Sequence, residues 1–114
     1  MVYKYFKNNP LHKALKPIIE YEFLRKNEDE IKSSGYAIDS LEASMWSFYN
    51  TNSFKDAILK AVNLGGDADT IGAITGEIAG AYYGFKSIPK ELVDDLCKHD
   101  LIITTSHRLI DITE

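Results

Sequence analysis

Cysteine occurs once in these 114 residues, at Cys97, and the histidines His12, His99 and His107 stand far apart. A disulfide framework inside the chain and a zinc site built from neighbouring residues are thereby excluded. Basic residues are outnumbered, 13 Lys and Arg against 17 Asp and Glu for a net charge of −4, and no extended Lys/Arg run is present. A duplex nucleic acid needs many basic groups to neutralise its phosphates, so it is not an expected partner. No apolar run reaches the roughly 18 residues that a membrane helix needs. The start, Met1-Val2-Tyr3-Lys4-Tyr5-Phe6-Lys7, does not read as a secretory leader. The expectation is a cytoplasmic protein with a free thiol, without a membrane partner.

What is present is the composition of an ordinary globular chain, 45% hydrophobic and 26% charged. The length is that of one domain, 1–114, large enough to bury roughly two-thirds of the surface its unfolded chain exposes. No repeat, low-complexity stretch or linker divides it. Turn signals recur at helical spacing and no alternating strand pattern is convincing, so an all-α fold is expected.

The first segment, about Leu11 to Lys32, carries Leu15, Ile18, Ile19 and Phe23 on one helical stripe, with Pro17 as a possible break and Glu28, Asp29 and Glu30 as a solvated end. A second helix follows Ser34-Gly35, where Ile38, Leu41, Met45, Phe48 and Tyr49 recur at steps of three and four, with Trp46 beside them. Asn50-Thr51-Asn52 ends it. Ser53 and Asp56 resemble a capping box for a third helix near Phe54, which should bury Ile58, Ala61 and Val62 and stop at Gly65-Gly66.

The fourth helix, about Asp69 to Tyr83, has Gly72, Gly76 and Gly80 on one face and Gly84 as its cap. An interior glycine costs roughly 0.5–1 kcal/mol relative to alanine, so three on one face imply a compensating close approach by a neighbour. This is the expected central helix. Ser87 and Pro89 start a short fifth helix with Leu92, Val93 and Leu96 inward, and the tail from Leu101 to Glu114 fits no single pattern.

Ahead of the glycine helix, Gly65-Gly66-Asp67-Ala68-Asp69-Thr70 places two carboxylates and a hydroxyl where a flexible turn enters a helix. Such oxygens suit a hard cation. The spacing is not that of an EF-hand, whose fifth position needs an oxygen ligand where this chain has Ile71. The competing explanation is that Asp67 or Asp69 caps the helix without any metal.

The order of this turn and of the helix after it, Ile71-Gly72-Ala73-Ile74-Thr75-Gly76-Glu77-Ile78-Ala79-Gly80-Ala81-Tyr82-Tyr83-Gly84, is similar to the C-terminal signature of the ADP-ribosylglycohydrolases. Ser34-Gly35-Tyr36 with Leu41-Glu42-Ala43 and Trp46, then Ala61-Val62-Asn63-Leu64, resemble that family in the same order. The resemblance runs from about Ser34 to Leu96. It implies an all-α, metal-dependent hydrolase that cleaves the glycosidic bond between ADP-ribose and a protein side chain, using a pair of divalent cations, usually Mg2+ or Mn2+. It makes Asp67, Asp69 and Thr70 metal ligands and puts Gly35 and Tyr36 near the ADP-ribose cleft; a packed aromatic at a helix start is the other reading of Tyr36.

The family's upstream Gly-Asp segment, and its threonine or serine followed by two aspartates and a threonine, have no counterpart in these residues. The chain therefore resembles only the downstream part of a longer enzyme, expected to bind metal weakly and to need a complementing N-terminal chain for turnover. A non-catalytic remnant and an ADP-ribose or nucleotide reader are the alternatives. Glu42 and Glu77 lie inside helices, where a solvated or paired role is expected rather than a substitute catalytic one.

Overall fold

The computed structural model describes residues 12–113 as helices and turns, with no strand among them. The α-helices are α1 (Lys16–Ile19), α2 (Ala37–Tyr49), α3 (Phe54–Asn63), α4 (Ala68–Tyr83), α5 (Lys90–Asp94) and α6 (His99–Thr113). The architecture is all-α, as expected. Its centre is the mutual packing of α2, α3 and α4.

The first segment is not one helix. It is a chain of single turns, Lys13–Leu15, α1, Glu22–Arg25 and Glu28–Glu30. Pro17 sits in the first turn of α1, where its missing N–H costs nothing, so it starts that helix rather than splitting a longer one. The break comes at Tyr21, which takes the left-handed conformation at φ 58, a geometry that no helix interior tolerates. A second break at Lys26 is held from outside. The Trp46 indole N–H donates to the Lys26 carbonyl at 3.0 Å, and the Lys26 ammonium reaches both carboxylate oxygens of Glu42 at 2.8 and 2.9 Å. Ile18 and Phe23 nevertheless reach the core, as their stripe predicts.

In α2 the expected apolar stripe is only partly buried, and Tyr49 is exposed. The fully buried positions are instead Ser40, Ala43, Ser44 and Ser47, with Trp46 beside them. Small side chains let α4 come close. Their hydroxyls can be buried because each finds a carbonyl: Ser44 donates to Ser40 O at 2.7 Å, Ser47 to Ala43 O at 2.8 Å, and Thr75 in α4 to Ile71 O at 2.7 Å. Ser44 also lies 3.2 Å from Ile71 O, which ties α2 to α4. Among the described residues no buried side-chain polar atom lacks a partner.

On its other side α4 presents its glycine face to α3. A Cβ at Gly72 would stand 3.1 Å from Val62 Cγ1, at Gly76 3.6 Å from Ile58 Cδ1, and at Gly80 3.9 Å from Phe54 Cε2. The close approach is thus made by side chains of α3, and it loosens from the N-terminal end of α4 towards the C-terminal end. Ser53 caps α3 as expected, its Oγ accepting the Asp56 N–H at 3.1 Å. Ala61 is buried; Ile58 and Val62 are half-buried, while Phe54 and Ala57 complete the inner face.

Beyond Gly84 the chain carries little core. Leu92 and Leu96, expected inward, are 51% and 42% exposed, because no described element covers them. The ambiguous tail is the helix α6, with no buried residue. Gly76→Leu pushes four extra carbons against Ile58 and should cost about 1–3 kcal/mol. Gly80→Ala, which meets only ordinary contact, should stabilise by about 0.5–1 kcal/mol. Melting temperatures of the two variants check this, and equal shifts would contradict the graded contact.

Candidate active site

The turn into α4 is built on two glycines in the left-handed region, Gly65 at φ 75 and Gly66 at φ 59. It delivers Asp67 to the position before the first helical residue. The carbonyl of Asp67 accepts the Ile71 N–H at 3.1 Å, and its own N–H donates to Ser33 O at 2.9 Å. Its carboxylate, however, makes no capping bond to the helix backbone. Asp67 Oδ1 instead accepts the Thr70 hydroxyl at 3.0 Å. Asp69 Oδ1 accepts the Thr70 N–H at 3.0 Å, so the capping explanation applies to Asp69 in part and not to the side chain of Asp67.

The two carboxylates are close enough to interact. Asp69 is held below the ordinary carboxylate range, first by side-chain hydrogen bonding shared with the neighbouring Asp67 carboxyl and then by backbone N–H groups of Thr70 and Asp69, against slight desolvation. Asp69 and Thr70 are exposed and Asp67 is half-buried. The donor set is therefore two carboxylates and a hydroxyl, all hard oxygens, at an open helix start. That chemistry fits Mg2+ or Mn2+, which keep several waters when bound. Among the described residues no group of three or more His, Cys, Asp and Glu side chains converges, so the carboxylates here number only two.

Gly35 lies directly against this turn, where an added Cβ would stand 3.6 Å from Asp67 Oδ2. Tyr36 is 59% exposed at the start of α2, not packed beneath it. With Asp39, Glu42, Lys26 and Lys32 it lines a cavity of about 300 Å3. The segment is fixed by local bonds: Ser34 Oγ donates to Asp39 Oδ2 at 2.7 Å, and Ser40 Oγ donates to Ser34 O at 3.1 Å. Gly35 thus adjoins Asp67, whereas the cavity that Tyr36 lines includes none of Asp67, Asp69 and Thr70. Glu42 is taken up by Lys26, and Glu77 is exposed on α4. Sequence reasoning missed Ser33, whose contact with Asp67 bridges distant segments and leaves no local spacing signal.

The all-α core presents an oxygen-rich turn at the head of a glycine-faced helix, with Gly35 beside it. The profile of the ADP-ribosylglycohydrolase family matches residues 4–114, and the chain belongs to that family. It is similar to the ADP-ribosylarginine hydrolase Tri1 of Serratia proteamaculans, 52% identical over 88 residues that cover 77% of this chain and 24% of the relative. It is 43% identical to Tri1 of Pseudomonas putida over 79% of this chain and 24% of that one. To the ADP-ribosyl-[dinitrogen reductase] glycohydrolase of Rhodospirillum rubrum it is 43% identical over 51% of this chain and 20% of the relative. The chain thus spans about a quarter of the length of these two Tri1 relatives. No helix among the described residues is long and apolar enough to cross a membrane.

The lowering of Asp69 beside Asp67 predicts a titration. In Asp67→Ala the midpoint of Asp69, followed by NMR of its side-chain carboxyl carbon, should rise, because a bond to the charged form is lost. An unchanged midpoint would show that the two groups do not converge.

Proposed function

We propose that these residues form the downstream part of a metal-dependent ADP-ribosyl hydrolase, in which Asp67, Asp69 and Thr70 hold Mg2+ or Mn2+ and Gly35 and Tyr36 border the ADP-ribose. The observation that carries this reading is the Asp67 carboxylate: it makes no bond to the helix backbone and turns to the Thr70 hydroxyl. An acid kept only for capping would bond the backbone N–H groups.

A bound divalent cation supplies Lewis acidity and a lowered pKa for a coordinated water, which suits cleavage of a glycosidic bond. The chain's own residues do the holding. Asp67 and Asp69 offset the charge, Thr70 presents a neutral oxygen, and the bare Cα of Gly35 leaves room beside Asp67 Oδ2. The exposed ring of Tyr36 offers a flat, partly polar surface to a nucleotide or ribose. The substrate class is an ADP-ribosylated protein, and arginine, the acceptor named in the two Tri1 relatives, is the first to test.

Two carboxylates and one hydroxyl leave most coordination positions of a pair of cations unfilled by this chain. Turnover then requires further ligands from an upstream segment or a complementing chain, and contributions within such a constellation are far from additive. The 114 residues alone should release no ADP-ribose at multiple turnover from ADP-ribosyl-arginine or ADP-ribosyl-serine peptides with Mg2+ or Mn2+. Adding an N-terminal segment of a family member should restore release, and Asp67→Ala should abolish it. Metal-dependent turnover by the chain alone, or an active complemented Asp67→Ala, would overturn the proposal; tight ADP-ribose binding with no turnover after complementation would identify a reader instead.

A further inference from the structure

We infer that Ser33 is the positioning residue of this site, gripping the acidic turn and thereby setting the direction of Asp67. The inference rests on the reading of Asp67 as a cation ligand. Because the Asp67 carboxylate has no bond to the helix backbone and accepts only the Thr70 hydroxyl, its direction depends also on how the turn from Leu64 to Asp67 is held. The turn is gripped at both ends by one residue. The Ser33 carbonyl accepts the Asp67 N–H at 2.9 Å, and the Ser33 hydroxyl donates to the Leu64 carbonyl at 3.3 Å, 31 residues along the chain.

The two glycines of the turn separate this contact from mere conformational need. Both have positive φ, 75 at Gly65 and 59 at Gly66, so a side chain is strained at either. Their surroundings differ. A Cβ at Gly65 meets nothing within 4 Å, whereas one at Gly66 would stand 2.0 Å from Ser33 O and 2.6 Å from Ser33 Oγ. Gly66 is thus required by the approach of Ser33. The same contact brings Gly35, two residues further on, to the flank of Asp67. Ser33 therefore joins the cation-facing turn to the segment that carries Tyr36, and displacing it misaims Asp67 without changing any ligand.

The test compares Gly65→Ala and Gly66→Ala in the full chain by Mn2+ titration calorimetry and by exchange of the Asp67 amide hydrogen, with melting temperatures to separate global loss. Partners that orient ligands are worth about tenfold or more in metal affinity. Gly66→Ala should lose at least about tenfold in Mn2+ affinity and the protection of the Asp67 amide, while Gly65→Ala keeps both within about twofold of the parent. Ser33→Ala should weaken Mn2+ binding, and Ser33→Thr, which keeps the hydroxyl, should restore it; this pair decides the matter if Gly66→Ala does not fold. Equal losses in the two glycine variants, or equal affinities for Ser33→Ala and Ser33→Thr, would overturn the inference. Asp67→Ala distinguishes the levels. If it leaves Mn2+ affinity unchanged, or if the parent binds no Mn2+, the ligand reading fails and this inference with it; if it abolishes binding while Gly66→Ala does not weaken it, only the role of Ser33 fails.

Discussion

The absence of side chains along one face of α4 is the constraint on which the rest of the structure depends. Val62, Ile58 and Phe54 of α3 occupy the space above Gly72, Gly76 and Gly80, with the tightest contact at Gly72, near the helix start. The opposite side of α4 is held by the serine face of α2, through Ser44 and the carbonyl of Ile71. Held on two sides near its beginning, α4 has a fixed N-terminus, and the acidic turn inherits that position. The helix-propensity cost of the glycines is offset by contact that any larger residue at Gly72 would disturb.

Polar groups do much of the joining in this core. Serine and threonine hydroxyls donate to carbonyls one turn back, so their burial leaves no unmet donor. The irregular first segment has no long helix to pack, and it is attached instead by Trp46 and Glu42, both reaching Lys26. The Trp46 ring also carries the Lys60 ammonium 4.6 Å from its centre, linking α3 to the same point. The candidate site adds one more long-range polar contact, from Ser33 to the turn.

Features governed by local chemistry were legible in the sequence. Ser53 before α3, the glycine pair after it and Gly84 after α4 all act within a few residues of where they stand, and each ends or begins a helix as read. The first segment was not legible as it is, since the left-handed Tyr21 and the extended Lys26 answer to tertiary contacts that no helical period records. The buried face of α2 was read in part for a related reason: Ile38, Leu41 and Met45 pack half-buried against the core, while close helix packing selects Ser40, Ala43, Ser44 and Ser47 for full burial. Leu92 and Leu96 show the converse, an apolar pattern with nothing described to cover it. At the site, the order of glycines, acids and threonine pointed to Asp67, Asp69 and Thr70 through resemblance. Geometry added what spacing could not, namely that the Asp67 side chain makes no capping bond, that Gly35 adjoins it and that Ser33 holds the turn.

The central claim is that a divalent cation binds at the head of α4. Paramagnetic broadening of backbone amide signals by substoichiometric Mn2+ locates the ion without requiring activity. Loss of signal centred on Asp67, Asp69 and Thr70 and reaching Gly35 is the result predicted, whereas broadening centred on the exposed acidic run Glu28–Glu30, or spread evenly over surface carboxylates, would contradict it.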